Sequence, residues 1–440
     1  MRPVWVGVIK MRFKLSYMTG LNLGVRVGFP VAVLYFFFNS TLLPPGLEYT
    51  TLLTPFFLWW LYKTGTMKPL FYFLLGTLAF IPFHLMKGVV PVYYFRSYLL
   101  LLSACIFALA FRAYLISRRG DIKRIFALLL GINFLLVVLA VATFPLRSLR
   151  PVFWYLQEFS PGTGIVPRLK LLSYEASYYS LLLVPVVVYF YLRLILGRIR
   201  KPVLIFILTT APLLLSLSLG VLAALGFTFF TLMAYAPRVF LARKQVVRFV
   251  IWSGVGVLAG AVLLLLMDPH NPLYGRIGNI FTGKDTSFRG RTYQAFILAW
   301  SIAKQKSVLF GCGPGQPKLL GISVFRQYYN YLPEVVRIPN TLADTLAAYG
   351  LVGLAGRLAL TVFLFFRTKV SRNYYQFSMF LFMCLYQFTG SFMTNIAEYV
   401  IWVLAFTPAF GDFDRSRVGR GIQTSNLWIR TTGQLFERPV

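Results

Sequence analysis

Arg289 and Arg291 stand two residues apart in Ser287-Phe-Arg-Gly-Arg-Thr-Tyr-Gln-Ala-Phe-Ile-Leu-Ala-Trp300, and Phe310-Gly-Cys-Gly-Pro-Gly315 follows soon after. Guanidinium forks bind phosphate and carboxylate oxygens in pairs, and the free N–H groups of a helix N-terminus favour the same anions. Tyr293, Phe296, Ile297 and Trp300 recur at three- and four-residue spacing, with Gln294, Ser301 and Gln305 opposite. That pattern predicts an amphipathic helix of about four turns, lying on a membrane surface or against a helical bundle. Ser287 would cap it and put both arginines in its first turn. Cations there oppose the helix dipole by a few tenths of a kcal/mol each, a conflict that a docked anion removes. Solvated or headgroup-facing arginines are the plainer alternative. The expected ligand is a pyrophosphate.

Other polar residues gather around this segment. Gly311, Gly313 and Gly315 allow close backbone approach to a ligand, but such glycines also simply end helices. Arg168 and Lys170 precede Ser173-Tyr-Glu-Ala-Ser-Tyr-Tyr179. Glu175 there either complements a helix dipole or serves as a base beside the cations. Asn340-Thr341-Leu-Ala-Asp344 reads as a helix cap, with Asp344 three residues past Thr341. Glu398 reads as a polar residue at an interface. His84, His270 and Cys312 show no metal-ligand spacing, so no metal and no cofactor is expected. Arg26, Arg112 and Arg357 fall toward the ends of apolar runs and are expected to snorkel. Asp412-Phe-Asp414 resembles metal-binding acids of nucleotide-sugar enzymes, but without a nucleotide-binding domain it is read as coincidence.

The elements that must position these groups are membrane helices. Of 440 residues 58% are hydrophobic and 13% charged, with mean hydropathy +0.70. Repeated apolar runs about twenty residues long make the chain an all-α, polytopic membrane protein. The net charge of +32 sits mostly in short clusters between those runs, which is how orientation is encoded and excludes nucleic acid as a partner. We expect about twelve spans: Leu23–Leu43, Glu48–Tyr62, Pro69–Met86, Ser97–Ile116, Ile125–Phe144, Ser173–Arg198, two short helices within Val203–Tyr235, Phe249–Met267, Thr341–Phe366, Gln376–Thr394 and Ala397–Phe410. The short pair should turn near Ser216–Gly220, because basic clusters flank it on both sides. Met1–Tyr17 reads as a cytoplasmic leader, and residues 411–440 as a cytoplasmic tail. Residues 1–440 form a single membrane domain. Within it, residues 268–340 make one large outer loop with nine Lys/Arg against three acids. That loop and the one after the fifth span are basic on the side where cations are ordinarily scarce. Cys105, Cys312 and Cys384 make no disulfide framework.

Three features together resemble the O-antigen ligase and O-antigen polymerase (Wzy-type) superfamily of bacterial membrane glycosyltransferases. Arg291 leads a helix with Trp300 and then Gly311-Cys-Gly-Pro-Gly315; Pro339-Asn340 is followed by Leu342 and Tyr349-Gly-Leu-Val-Gly353; Glu175-Ala-Ser-Tyr178 opens a span. Pro339 stands where ligases of that family carry a His. Leu217 and Leu219 flank Ser218 where they carry an Arg. The missing His points to the polymerase side or to a divergent relative. The resemblance implies transfer of an oligosaccharide from undecaprenyl pyrophosphate to a lipid-linked saccharide acceptor, among membrane lipids at the outer face of the bacterial inner membrane. Arg291, Arg289, Glu175 and Asp344 would be catalytic. Arg168, Lys170, Gly311, Gly313, Gly315 and Asn340 would bind pyrophosphate or sugar. A chain-length regulator would be a further partner. Transfer to lipid A core by a ligase, and a flippase of lipid-linked saccharide, are the alternatives.

Overall fold

A computed structural model describes residues 23–44, 46–118, 120–157, 165–240, 256, 290–329 and 336–418. The chain is mostly helical. By length and composition five stretches can cross a membrane: 68–86, 91–117, 121–142, 176–195 and 341–367. The fold is that of an all-α membrane protein. The leader, the span expected at Phe249–Met267, Ser287, Arg289, His270 and the tail beyond residue 418 lie outside the described residues.

In chain order the helices are α1 (Leu23–Val33), α2 (Tyr49–Leu52), α3 (Thr54–Lys63), α4 (Lys68–Leu78), α5 (Ile81–Met86), α6 (Pro91–Ser117), α7 (Asp121–Ala142), α8 (Arg150–Phe153), α9 (Ala176–Ile195), α10 (Pro202–Ser216), α11 (Leu219–Tyr235) and α12 (Pro237–Phe240). After the undescribed stretch come α13 (Tyr293–Lys304), α14 (Pro317–Tyr329), α15 (Thr341–Arg367), α16 (Tyr374–Tyr386) and α17 (Ile396–Phe406). Proline opens α3, α4, α5, α6 and α10 at the first or second position, where its missing N–H removes no helical bond. The α10–α11 pair turns at Leu217, which takes a left-handed conformation (φ 47°), as the flanking basic clusters led us to expect.

The core gathers on α9, which is buried along nearly all its length. Polar clips hold its neighbours: Tyr179 donates to Asn133 Oδ1 of α7 at 2.7 Å, and Tyr375 of α16 donates to the Pro185 carbonyl at 3.1 Å. Such bonds count in a bilayer interior, where no water competes for the groups.

One feature resolves an expectation left open and one differs from it. First, α13 buries Gln294, Ala295, Leu298, Ala299, Ile302 and Ala303, and leaves Tyr293, Ile297 and Trp300 outward. The aromatic stripe is therefore the outer face. The alanines form the packed one, because small residues let two helix backbones approach closely. Second, α15 is broken. Gly350 has φ 67° and ψ −164°, a conformation open only to glycine. Residues 341–350 before and at the break are nearly all buried, whereas most of the remainder is exposed.

The break is filled by the segment expected as a glycine-rich ligand loop. Cys312 and Gly313 donate their N–H groups to the carbonyls of Ala347 and Ala348 at 2.9 Å each, and Leu351 N–H donates to Val308 O at 2.9 Å. A Cβ on Gly311 would lie 2.4 Å from the Ala348 carbonyl carbon, and one on Gly350 would lie 2.3 Å from Leu309 O. The α5–α6 corner clamps the same loop from the other side. Gln316 exchanges two bonds with the Val90 backbone, at 3.0 and 3.1 Å, and Lys306 Nζ donates to Lys87 O at 2.9 Å. His84 donates through Nε2 to the Phe310 carbonyl at 2.7 Å.

Candidate functional site

Arg291 ends a helical turn just before α13, with Thr292 as the N-cap. It therefore precedes the helix and does not sit in its first turn, and the expected clash with the dipole does not arise. Asn340 fixes its backbone. The Asn340 amide donates to Arg291 O at 2.9 Å and to Phe388 O at 3.1 Å, while Oδ1 accepts the Ala343 N–H at 3.0 Å as the N-cap of α15. Both protons of this fully buried amide are used. Asn340 thus positions Arg291; sequence reasoning had expected it to bind substrate. Asp344, one turn into α15, accepts the Met393 N–H at 3.1 Å.

The second part of the site is a small antiparallel ribbon, β1 (Trp154–Tyr155) with β2 (Arg168–Leu169), in the register Trp154↔Leu169 and Tyr155↔Arg168. It turns the Arg168 guanidinium over the Tyr155 ring, 4.9 Å from the centroid. Burial lowers the Lys170 ammonium below its ordinary value. Glu175 is the N-cap of α9 and accepts from the Ser177 hydroxyl. Beside it Tyr174 and Tyr178 stack with centroids 4.7 Å apart.

A third part was not anticipated. Glu48, read from sequence as the first residue of a span, lies in the connection before α2. It accepts from Tyr178 Oη at 3.2 Å, Asn39 Nδ2 at 3.2 Å and Thr50 Oγ1 at 3.4 Å. Burial raises its carboxyl to about 7, against the pull of those three donors. The sequence signal was an acid between apolar runs with Asn39 nine residues earlier, and it is faint.

These parts share one electrostatic neighbourhood. Tyr386 feels the charges of Glu175, Arg291 and Glu398. Tyr174 feels Glu175, Glu48 and Arg337, and Tyr155 feels Glu175 and Arg168. Lys318, lowered by burial and then by Arg337, also faces Asp344 and Arg96. Arg291, Glu175, Arg168 and Asp344 are thus brought to one end of the bundle, and Arg337, Lys318 and Glu48 join them. Among the described residues Arg291, Arg337 and Lys318 form no ion pair. An open set of cations beside carboxylates can bind a polyanion and move a proton. Gly311, Gly313 and Gly315 are spent on packing, since a Cβ on Gly313 or Gly315 would strike Tyr94 (2.8 Å) or Tyr93 O (2.2 Å). Arg289 lies outside the described residues.

Two further expectations change. Arg357 does not snorkel, and Glu398 is not at an interface. They form an ion pair, with Glu398 fully buried. Glu398 also accepts from Thr341 Oγ1 at 2.7 Å, Ser391 Oγ at 2.6 Å and Trp402 Nε1 at 3.3 Å. Thr341 and Arg357 would lie about 24 Å apart along a straight helix, so it is the break at Gly350 that brings both to one carboxylate. At the opposite end of the bundle, Asp412 pairs with Lys123 and Asp414 accepts from Asn373 Nδ2 at 2.7 Å. Both acids are structural ties.

An apolar cavity lies between α1, α3, α6, α7, α9 and α17, walled by Tyr35, Phe57, Phe107, Phe126, Leu182 and Leu404 among others. Tyr35, on its wall, lies within reach of the charge of Glu48. No protein-family model matches the sequence, and no curated protein or solved structure matches it either.

Proposed function

We propose that this chain is a membrane glycosyltransferase acting on undecaprenyl-pyrophosphate-linked oligosaccharide at the outer face of the bacterial inner membrane. It extends a surface polysaccharide in the manner of an O-antigen polymerase. In this reading the chain crosses the membrane about twelve times with both termini in the cytoplasm, and residues 268–340 face the periplasm. The anomeric carbon of the donor is attacked by a hydroxyl of a lipid-linked acceptor, and undecaprenyl pyrophosphate leaves. The observation that carries the reading is the set Arg291, Arg337 and Lys318, which form no ion pair among the described residues and share neighbours with Glu175 and Asp344. Preorganised cations of this kind stabilise charge developing on a leaving diphosphate. The apolar cavity supports the reading, since it offers hydrocarbon a place within the bundle, and Tyr35 on its wall senses the charge of Glu48.

The test is reconstitution of the purified protein in liposomes with a synthetic undecaprenyl-pyrophosphate oligosaccharide, without nucleotide or ion gradient. Lengthened glycan is the expected product. Translocation without a new glycosidic bond would replace this reading with a second one, a carrier of lipid-linked saccharide. The Arg357–Glu398 pair favours that second reading, because ionisable groups inside a span often mark a transport path. Transfer to lipid A core alone would identify a ligase.

A further inference from the structure

The apolar cavity is a slot with a direction. Ile122, Ile125, Phe126 and Leu129 line it from α7 at positions i, i+3, i+4 and i+7, which is one face of a helix. Phe107 to Tyr114 on α6 and Gly28 to Tyr35 from α1 onward line it with the same spacing. Seven residues rise about 10 Å, so the slot runs that far along the helices. α1 packs on α7, and α3 packs on α6. The slot lies between those two pairs, over a buried floor of Leu182, Val186, Val400 and Leu404. Its α1 and α3 walls include half-buried Val31, Ala32, Tyr35 and Trp60 and the exposed Phe56. The slot therefore opens sideways, between α1 and α3.

We infer that the slot holds one acyl chain of an anionic phospholipid, whose headgroup rests against Arg118 and Arg124. Apart from Tyr35, Trp60 and Tyr114 the walls carry no polar side-chain atom, which leaves water too few partners. Hydrocarbon is the filler that a bilayer supplies. The position of the slot says whose. Tyr114 stands three residues before the end of α6, and Ile122 is the second residue of α7, so one end of the slot lies within a turn of the α6–α7 connection. Gly28 lies against the Tyr114 hydroxyl and brings α1 to the same end. One leaflet of hydrocarbon is about 15 Å deep, and a slot of about 10 Å starting there suits a chain from the leaflet on that side. A tail anchored beside Arg291, at the far end of the bundle, would have to pass the midplane first. The charge at the near end agrees. Arg118 and Arg124 flank the connection, are exposed, and form no ion pair among the described residues. The charge of Arg118 reaches the Tyr114 hydroxyl at the end of the slot. Guanidinium groups at headgroup level bind a lipid phosphate and favour a lipid with net negative charge. The lipid is independent of the transferase reading, which stands on the charged groups at the other end.

The experiment uses full-length protein in phosphatidylcholine nanodiscs that carry a minor share of phosphatidylglycerol with brominated acyl chains. Tryptophan emission is read against Trp60→Phe, so that the difference reports contact of bromine with Trp60. Brominated phosphatidylglycerol should quench Trp60 at a lower share than brominated phosphatidylcholine, by about fivefold for each arginine. Arg118→Gln with Arg124→Gln should bring the two lipids level. Ala32→Leu and Ala110→Leu, which fill the slot from its rim and its inner wall, should each abolish the preference. Should one of these fail to assemble, the other is read, and the arginine variant, on the surface, keeps the test open if neither does. Equal quenching by both lipids in wild type, unchanged when the slot is filled, would mean that Trp60 meets only bulk lipid and overturns the inference. Relief of quenching by unlabelled undecaprenyl phosphate but not by unlabelled phosphatidylglycerol also overturns it, in favour of an isoprenoid chain.

Discussion

At the end of α7 and α9 that carries Lys123 and Arg198, charges are closed off by partners. Lys123 pairs with Asp412, Arg198 donates to the Asp412 carbonyl at 2.7 Å, Arg415 donates to Tyr235 Oη at 2.8 Å, and Asn373 bonds both Asp414 and the Phe410 carbonyl. At the other end Arg291, Arg337 and Lys318 have no ion-pair partner among the described residues, although Glu175, Glu48 and Asp344 stand nearby. The same residue types do different work at the two ends. Closed pairs tie loops to helices and contribute little else. Open cations beside half-committed acids cost stability through repulsion and persist where something else supplies the counter-charge. This contrast, more than the number of arginines, locates the candidate site.

The largest effect should come from the buried Arg357–Glu398 pair. Glu398→Ala leaves Arg357 buried without its counter-ion and frees Thr341 and Ser391. We expect a loss of about 3–5 kcal/mol, read as a lowered midpoint of thermal unfolding in detergent. Glu398→Gln, which keeps some bonds, should lose less. Unchanged stability in both would mean that the broken helix is held by the glycine loop alone.

Next is Arg291→Ala, which should lower turnover by about 10²–10³-fold with little change in unfolding midpoint, because Arg291 is held through its carbonyl by Asn340. Arg291→Lys should recover only part, since a lysine cannot present a fork to a phosphate. An equal loss of stability in Arg291→Ala would erase the distinction between open and closed ends.

Gly311→Ala comes third. It forces a Cβ into a left-handed position (φ +77°) and against the Ala348 backbone, for which overpacking by about 1–3 kcal/mol is the appropriate scale. The effect should appear as lowered stability at unchanged donor affinity. Weaker donor binding at full stability would restore the loop to the ligand.

These variants fall where sequence and structure part company, and the reasons are physical. Apolar run length made the helices legible, as did flanking cations for the α10–α11 turn. The clustering of Arg291, Arg168 and Glu175 was legible because unusual charge at the end of apolar runs survives any detail of packing. The role of the three glycines was not. A positive φ serves a ligand cradle and a tight backbone crossing equally well, and only the partner backbone at Ala348 and Gly350 tells them apart. Arg357 was misread because its partner lies 41 residues away, beyond any local pattern, and a 27-residue apolar run conceals a break at a single glycine. On α13 the period was right, but the pattern alone left open which face packs. Aromatics signal a buried face in water, but in a membrane the alanine stripe can be the packed one.

The smallest effect belongs to the closed end, and it tests the comparison most directly. Lys123 and Asp412 are each roughly two-fifths exposed, 38% and 43%, so their pair is partly screened and Lys123→Ala should cost only about 0–1 kcal/mol. Burial opposes the charge on Asp412, but the Lys123 hydrogen bond and charge together hold its carboxyl below the ordinary range. A depressed carboxyl contributes stability above its unfolded value and loses it as pH falls through the folded one. Wild type and Lys123→Ala should therefore differ slightly at neutral pH and converge in acid, while polymer length and turnover stay the same. A turnover defect in Lys123→Ala comparable with that of Arg291→Ala would show that the closed end also takes part in the reaction. The contrast between the two ends would then fail as a guide to the site.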